Sequence, residues 1–246
     1  MEKKRQIAAV LILLALIGVI AYRHSTGKDL EKYEASFFDV FDTQTQIIGY
    51  ASSKEQFSEQ MSLIKDKFQY YNDLYDIYHD YEGMNNIKTI NDNAGIQPVK
   101  VDEEIIELLK LGITMDEKTD GNMNIAMGSV LSIWHDYREA GSEDPYSAEL
   151  PPMDELERAA EHTDIHDIVI DEEASTVYLT DPDMSLDVGS IGKGYAVQKV
   201  AEYAKNELGI QYMLFSVGGN VCAIGGHPDG SAWAVGIQNP DVIRHI

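Results

Sequence analysis

Cysteine is nearly missing from this 246-residue chain: Cys222 stands alone, so no intrachain disulfide can form. No cysteine stands just after the apolar run near the N-terminus, which excludes lipid acylation there. Cys222 itself lies in the apolar run Val221-Cys222-Ala223-Ile224 and reads as a core residue rather than a nucleophile. Positive charge is also scarce, with 19 Lys and Arg against 42 Asp and Glu and a net charge of −23. Five of those cations fall in the first 28 residues beside a single Glu2, so the rest of the chain is more acidic still. Such a surface repels nucleic acid and anionic lipid, which excludes both as broad partners. It also repels a phosphate-bearing ligand unless lysines or a divalent metal offset it locally. Internal repeats and low-complexity segments are missing as well.

Long apolar runs are limited to one. Lys3-Lys4-Arg5 precedes an uncharged stretch from Gln6 to Tyr22, strongly apolar from Ile7, and Arg23 closes it. At ~1.5 Å per residue the run from Ile7 reaches roughly 24 Å, somewhat short of a ~30 Å hydrocarbon core. Residues 1–28 are therefore expected to be a signal peptide or a membrane anchor, with the basic flank cytoplasmic and the rest of the chain exported. Val19 and Ala21 offer a small-residue cleavage site, so removal and retention both stay open. The expected location is the extracytoplasmic face of the cell membrane, or outside the cell if the segment is cleaved. Residues 29–36 read as a tether and 37–246 as one folded domain.

Within that domain helices and strands mix without a regular βαβ rhythm, which predicts an α+β fold. Phe37 to Tyr50 reads as a first strand, and Ser53 to Tyr75 as an amphipathic helix with Phe57, Met61, Ile64, Phe68 and Tyr71 on one face. Tyr78 to Pro98 is irregular and rich in asparagine, a long polar loop of the kind that carries function. Asp102 is placed to cap a helix running to Lys118, which Gly121 ends. Val130 to Tyr137 is apolar and aromatic, and Ala140 to Pro152 is expected to be a surface loop before a short helix at Asp154 to His162. Strands are expected at Ile165 to Ile170, Thr176 to Leu179, Tyr212 to Val217, Val221 to Ile224 and Trp233 to Ile237.

Chemistry concentrates in Leu186-Asp187-Val188-Gly189-Ser190-Ile191-Gly192-Lys193-Gly194-Tyr195-Ala196. Three glycines, a carboxylate, a hydroxyl and an ammonium stand between a strand and a helix expected over Tyr195 to Leu208. Glycines let backbone amides approach an anion at a helix N-terminus, and Lys193 adds a point charge. Neither common phosphate loop fits: the P-loop positions hold Asp187 and Gly194, and the glycine order is wrong for a dinucleotide fingerprint. A plain tight turn, with Asp187 and Ser190 as local acceptors and Lys193 solvated, accounts for the same residues.

Four further signals accompany this loop: Asp42-Thr43, Tyr81 with Asn91 ten residues on, Thr119-Asp120-Gly121-Asn122-Met123-Asn124, and Ser216-Val217-Gly218-Gly219-Asn220. In this order, and with Gly236-Ile237-Gln238-Asn239-Pro240 at the end, the sequence from Phe37 onward resembles the ApbE-type FAD:protein FMN transferases. The resemblance implies an exported enzyme that binds FAD in a groove and moves FMN to a Thr or Ser hydroxyl of an acceptor protein, releasing AMP, with magnesium at the phosphates. It implies FAD contacts at Phe41, Tyr81, Asn122, Met123, Asn124, Asp187 and Lys193, a metal contribution from Ser190, and an acceptor flavoprotein subunit of a membrane redox complex as partner. It names no catalytic base. Family members continue beyond the Gln-Asn-Pro segment to an Asp and Thr pair that completes the metal site, whereas this sequence stops at Arg244-His245-Ile246. The expectation is therefore a truncated member, weak or inactive in transfer. Two alternatives stand beside it: an exported protein that binds or hydrolyses FAD without an acceptor, and a metal- or solute-binding surface protein using His162 and His166, whose spacing suits a helical pair but whose intervening Thr163-Asp164 suits a helix end.

Overall fold

The structure is a computed structural model and describes residues 30–237 and 239. The expected signal or anchor segment, part of the Gln-Asn-Pro segment and Arg244-His245-Ile246 lie outside the described residues. No described helix is long and apolar enough to cross a membrane. The order of elements is β1 (Glu31–Val40), β2 (Thr43–Ala51), α1 (Lys54–Tyr75), α2 (Ile87–Asp92), β3 (Val99–Lys100), α3 (Glu103–Lys118), α4 (Gly128–Glu143), α5 (Met153–Ala160), β4 (Ile168–Asp171), β5 (Thr176–Leu179), α6 (Gly192–Asn206), β6 (Met213–Val217) and β7 (Asn220–Ile224). Two antiparallel sheets, ordered β1-β2-β6-β7 and β3-β5-β4, combine with the helices in a mixed α+β fold.

The larger sheet buries one face. Thr45, Ile47, Gly49 and Ala51 alternate inward on β2, as do Met213, Phe215 and Val217 on β6. Helix α1 lays Phe57, Ile64, Phe68, Tyr71, Leu74 and Tyr75 against that face, and Phe68 sits 6.2 Å from the Phe215 ring centroid. Full burial of each such side chain stabilises by about 1.5–3 kcal/mol. Helix α6 adds Ala196, Val197, Val200, Ala201 and Ala204, small enough to pack closely beside α1.

Several elements differ from the sequence expectation, each for a local reason. The stretch expected as a tether is largely strand β1, because Tyr33, Ala35 and Phe37 alternate against the core. The expected first strand is instead a hairpin, whose turn residues Phe41 and Asp42 hold φ of 54° and 48°. Asp42 thus stands in the turn and Thr43 opens β2, where it pairs with Val40. The Asn-rich loop contains α2, nucleated by a reciprocal cap between Asn86 and Thr89. Helix α4 runs through Ala140 to Glu143. Ile165–Asp167 form a 3₁₀ turn ahead of β4. Helix α6 begins at Gly192, inside the expected loop. Trp233 to Ile237 is not a strand; Trp233 packs 4.1 Å from the His227 ring instead of entering a ladder.

Candidate active-site groove

A groove of about 580 Å³ opens where four chain segments meet. The β1–β2 turn supplies Asp39, Phe41 and Asp42; the end of α1 and the segment after it supply Asn72, Asp76, Tyr78, His79 and Tyr81; α4 supplies Arg138; the glycine loop and first turn of α6 supply Asp187, Val188, Gly189, Gly192 and Lys193. Hairpin turns of this twist favour Asn-Gly, so Phe41 and Asp42 are held there by context. Part of that context is the side-chain oxygen of Asn72, which accepts from the Phe41 N–H at 2.8 Å.

The glycine loop is tied down on two sides. Residues 125–128 and 185–187 run in parallel, with the Asp187 N–H on the Ile125 carbonyl and the Gly128 N–H on the Ser185 carbonyl, both at 2.9 Å. Only glycine fits at 128, since a Cβ there would stand 2.5 Å from the Ser185 oxygen. From the other side Asn91 brackets Leu186: its Nδ2 donates to the Leu186 carbonyl at 3.0 Å and its Oδ1 accepts from the Leu186 N–H at 2.8 Å. Asn86, fully buried at the opposite end of α2, donates to the carbonyls of Asp73 and His79. One short helix thus binds both walls of the groove.

At the loop itself, Asp187 Oδ1 accepts from the Gly189 N–H at 2.8 Å, while its second oxygen has no hydrogen bond among the described residues. Helix α6 starts without a side-chain cap, an arrangement suited to an anion. On the facing wall burial pushes the Asp76 carboxyl up, but hydrogen bonds from the Tyr78 N–H, the Tyr81 hydroxyl and His79 outweigh it, and the group stays below the usual carboxylate range. Burial, and then that same bond to Asp76, raise the Tyr81 phenol.

Phe41, Tyr81, Asp187 and Lys193 therefore come together as the sequence suggests. Ser190 is exposed on the loop between lining residues but does not itself line the groove. Asn122, Met123 and Asn124 lie outside the lining: Asn122 donates to the Thr119 carbonyl, Met123 packs against the core, and Asn124 bridges Ala126 and Thr163. They lead directly into Ile125, whose carbonyl accepts from the Asp187 N–H. The Gly218-Gly219 turn is near, because a Cβ on Gly218 would stand 2.5 Å from the Thr43 hydroxyl. Sequence reasoning missed Asp76 and Arg138. The signal for Arg138 was one cation in an acidic stretch directly after Trp134-His135-Asp136-Tyr137.

The expected alternatives fare differently. His162 and His166 do not share a helix; His162 comes after α5 and engages Asp181 at 2.8 Å, with Asp183 at 4.0 Å. Cys222 is half-buried and burial raises its thiol, which leaves it protonated.

Comparison with known proteins places this geometry. The ApbE family profile matches residues 41–246. A FAD:protein FMN transferase of Escherichia coli K12 is 26% identical over 180 residues, covering 72% of this chain and 50% of that protein. One from Treponema pallidum is 29% identical over 167 residues, covering 63% and 44%. Among solved structures, the ApbE protein of Thermotoga maritima superposes with a TM-score of 0.70 at 24% identity, over 85% of this chain and 64% of that one. The flavin transferase ApbE of Vibrio cholerae gives 0.69 at 20% identity, over 86% and 65%. The chain spans about half the length of the curated relatives it matches.

Proposed function

The chain belongs to the ApbE family, and on that footing we propose that it is an FAD:protein FMN transferase whose nucleotide lies in the groove between the β1–β2 turn and the glycine loop. The observation that carries this reading is the convergence of Phe41, Tyr81, Asp187 and Lys193 on one cavity beside an uncapped helix start. The acceptor's Thr or Ser oxygen bonds to the FMN-side phosphorus, the bond from that phosphorus to the AMP-side bridging oxygen breaks, and the hydroxyl proton is released with AMP. Catalysis of such a transfer is mainly positioning and charge neutralisation.

In this reading Asp187 fixes the loop through the Gly189 amide, Lys193 offsets diphosphate charge, and Phe41 and Tyr81 shape the cavity around the flavin. Asn122, Met123 and Asn124 act by supporting the Asp187 ribbon. The loop's oxygen donors, the second carboxylate oxygen of Asp187 and the Ser190 hydroxyl, suit a hard cation, and magnesium held there would supply further neutralisation of the phosphates. The basic and then apolar sequence from Lys3 to Tyr22 supports action on the outer face of the cell membrane, where a subunit of a membrane redox complex is the acceptor.

The test is incubation of the chain with FAD, magnesium and an acceptor flavoprotein domain, then mass spectrometry of the acceptor and chromatography of the nucleotides. Covalent FMN together with AMP supports transfer. FMN and AMP both free in solution would instead establish hydrolysis.

A further inference from the structure

Behind the glycine loop a second chamber of about 370 Å³ opens between α4 and the ribbon 185–187. It shares Ile77, Tyr78 and Asp187 with the nucleotide groove, and its own wall includes Leu131, Ser132 and His135. We propose that this chamber admits the acceptor: an extended, hydroxyl-bearing segment of a partner protein enters it and presents its oxygen to the phosphorus past Asp187. The proposal rests on the transferase reading, which requires two substrates to meet at one phosphorus.

Three observations support it. The two cavities adjoin along a shared wall of Ile77, Tyr78 and Asp187, of which Asp187 is the one charged residue, so a group held in the chamber stands next to the glycine loop. Within that shared wall Tyr78 leans on the chamber's own lining: its ring lies 5.1 Å from that of His135, and its hydroxyl stands 3.3 Å from His135 Nδ1. Tyr78 is 53% exposed and shares that nitrogen with the Arg138 guanidinium, which approaches it at 2.6 Å, so that contact is not the tyrosine's alone.

The rim fits a polypeptide. Leu131 and Tyr78 line the chamber and stay 41% and 53% exposed, and Trp134, on the turn of α4 after Leu131, is 42% exposed. Exposed apolar and aromatic residues rimmed by charge are the usual anchors for a partner chain. Asp136 and Glu139 line the same chamber, so the charge complement is a neutral or basic segment.

The experiment fills the chamber without touching the groove's nucleotide contacts. Ser132→Trp places a bulky ring at an exposed helix position, and Leu131→Glu removes the apolar rim; each is compared with wild type for FAD affinity, melting temperature, and transfer from FAD to threonine peptides with basic, neutral and acidic flanks. The proposal expects FAD affinity and melting temperature near wild type, an acceptor KM raised at least tenfold in both variants, and basic or neutral flanks preferred by the wild type. Unchanged acceptor kinetics in both variants overturns it, as does a loss of FAD affinity that parallels the loss of transfer. A wild-type chain that binds FAD but modifies none of the peptides overturns the peptide-entry proposal while leaving nucleotide binding intact. A chain that binds no FAD overturns the reading beneath it.

Discussion

Arg138 is the cation that the groove gains from α4. Of the two arginines among the described residues, Arg158 pairs with Asp154, whereas Arg138 donates to His135 Nδ1, whose Nε2 lies 3.2 Å from Glu139. No carboxylate among the described residues pairs with Arg138, so its planar fork stays available for a phosphate, a geometry that a lysine lacks. Arg138→Ala is expected to weaken FAD binding by about tenfold, with Arg138→Lys recovering part of the loss and riboflavin binding unchanged, as read by flavin fluorescence titration. The His162–Asp181 pair makes a separate prediction. Hydrogen bonding to Asp181 raises the imidazole above its ordinary value, and the Asp183 N–H and then His162 lower the Asp181 carboxyl. Because the histidine is raised, its contribution is complete below about pH 6.5 and is lost as pH climbs through the folded value. Melting temperatures from pH 5 to 9 should fall for the wild type relative to His162→Ala over that upper window, by a small amount because the pair is largely solvated.

At the scale of elements, α2 decides the width of the groove. Its six residues are too few to be stable alone, so packing and the side chains at its two ends hold it. Asn91→Ala removes both bonds to Leu186 and leaves a backbone donor and acceptor without partners, a loss of about 1–3 kcal/mol. The expected signature is faster hydrogen exchange at residues 186–192 and weaker FAD binding in a chain that still melts cooperatively. Asn86→Ala, at a buried site with more bonds, should cost more stability. This helix also shows where sequence reasoning stopped. The long helices over Lys54–Tyr75 and Glu103–Lys118 were legible from their apolar spacing, the second also from its cap Asp102. Helix α2 has no apolar stripe of useful length, and only the tertiary bonds of Asn86 and Asn91 reveal it. Strand β1 escaped because Tyr33, Ala35 and Phe37 are diluted by charged neighbours. Helix α6 starts earlier than its apolar pattern suggests, because glycines at 192 and 194 argue against a helix unless backbone must approach something closely. The glycine loop itself was legible, and so were four of the groove residues. Asp76 and Tyr78 were not, because in an acidic, tyrosine-rich stretch nothing local marks which carboxylate or ring turns inward, and Arg138 was not, because it reaches the cavity from α4, far along the sequence.

For the whole molecule, charge is the constraint on any nucleotide. A net charge of −23 opposes a diphosphate everywhere except where Lys193 and Arg138 face it, and Asp39, Asp42, Asp76 and Asp187 line the same groove. Non-specific screening relieves long-range repulsion only, whereas a bound divalent cation neutralises charge at the loop. The most direct measurement is calorimetric titration of FAD into the wild-type chain and Asp187→Ala, each in magnesium and in sodium chloride of matched ionic strength. The account predicts one site per chain, tighter in magnesium than in matched sodium, and lost or weakened at least tenfold in Asp187→Ala. FAD binding of equal strength in the wild type and Asp187→Ala, in either salt, would contradict it.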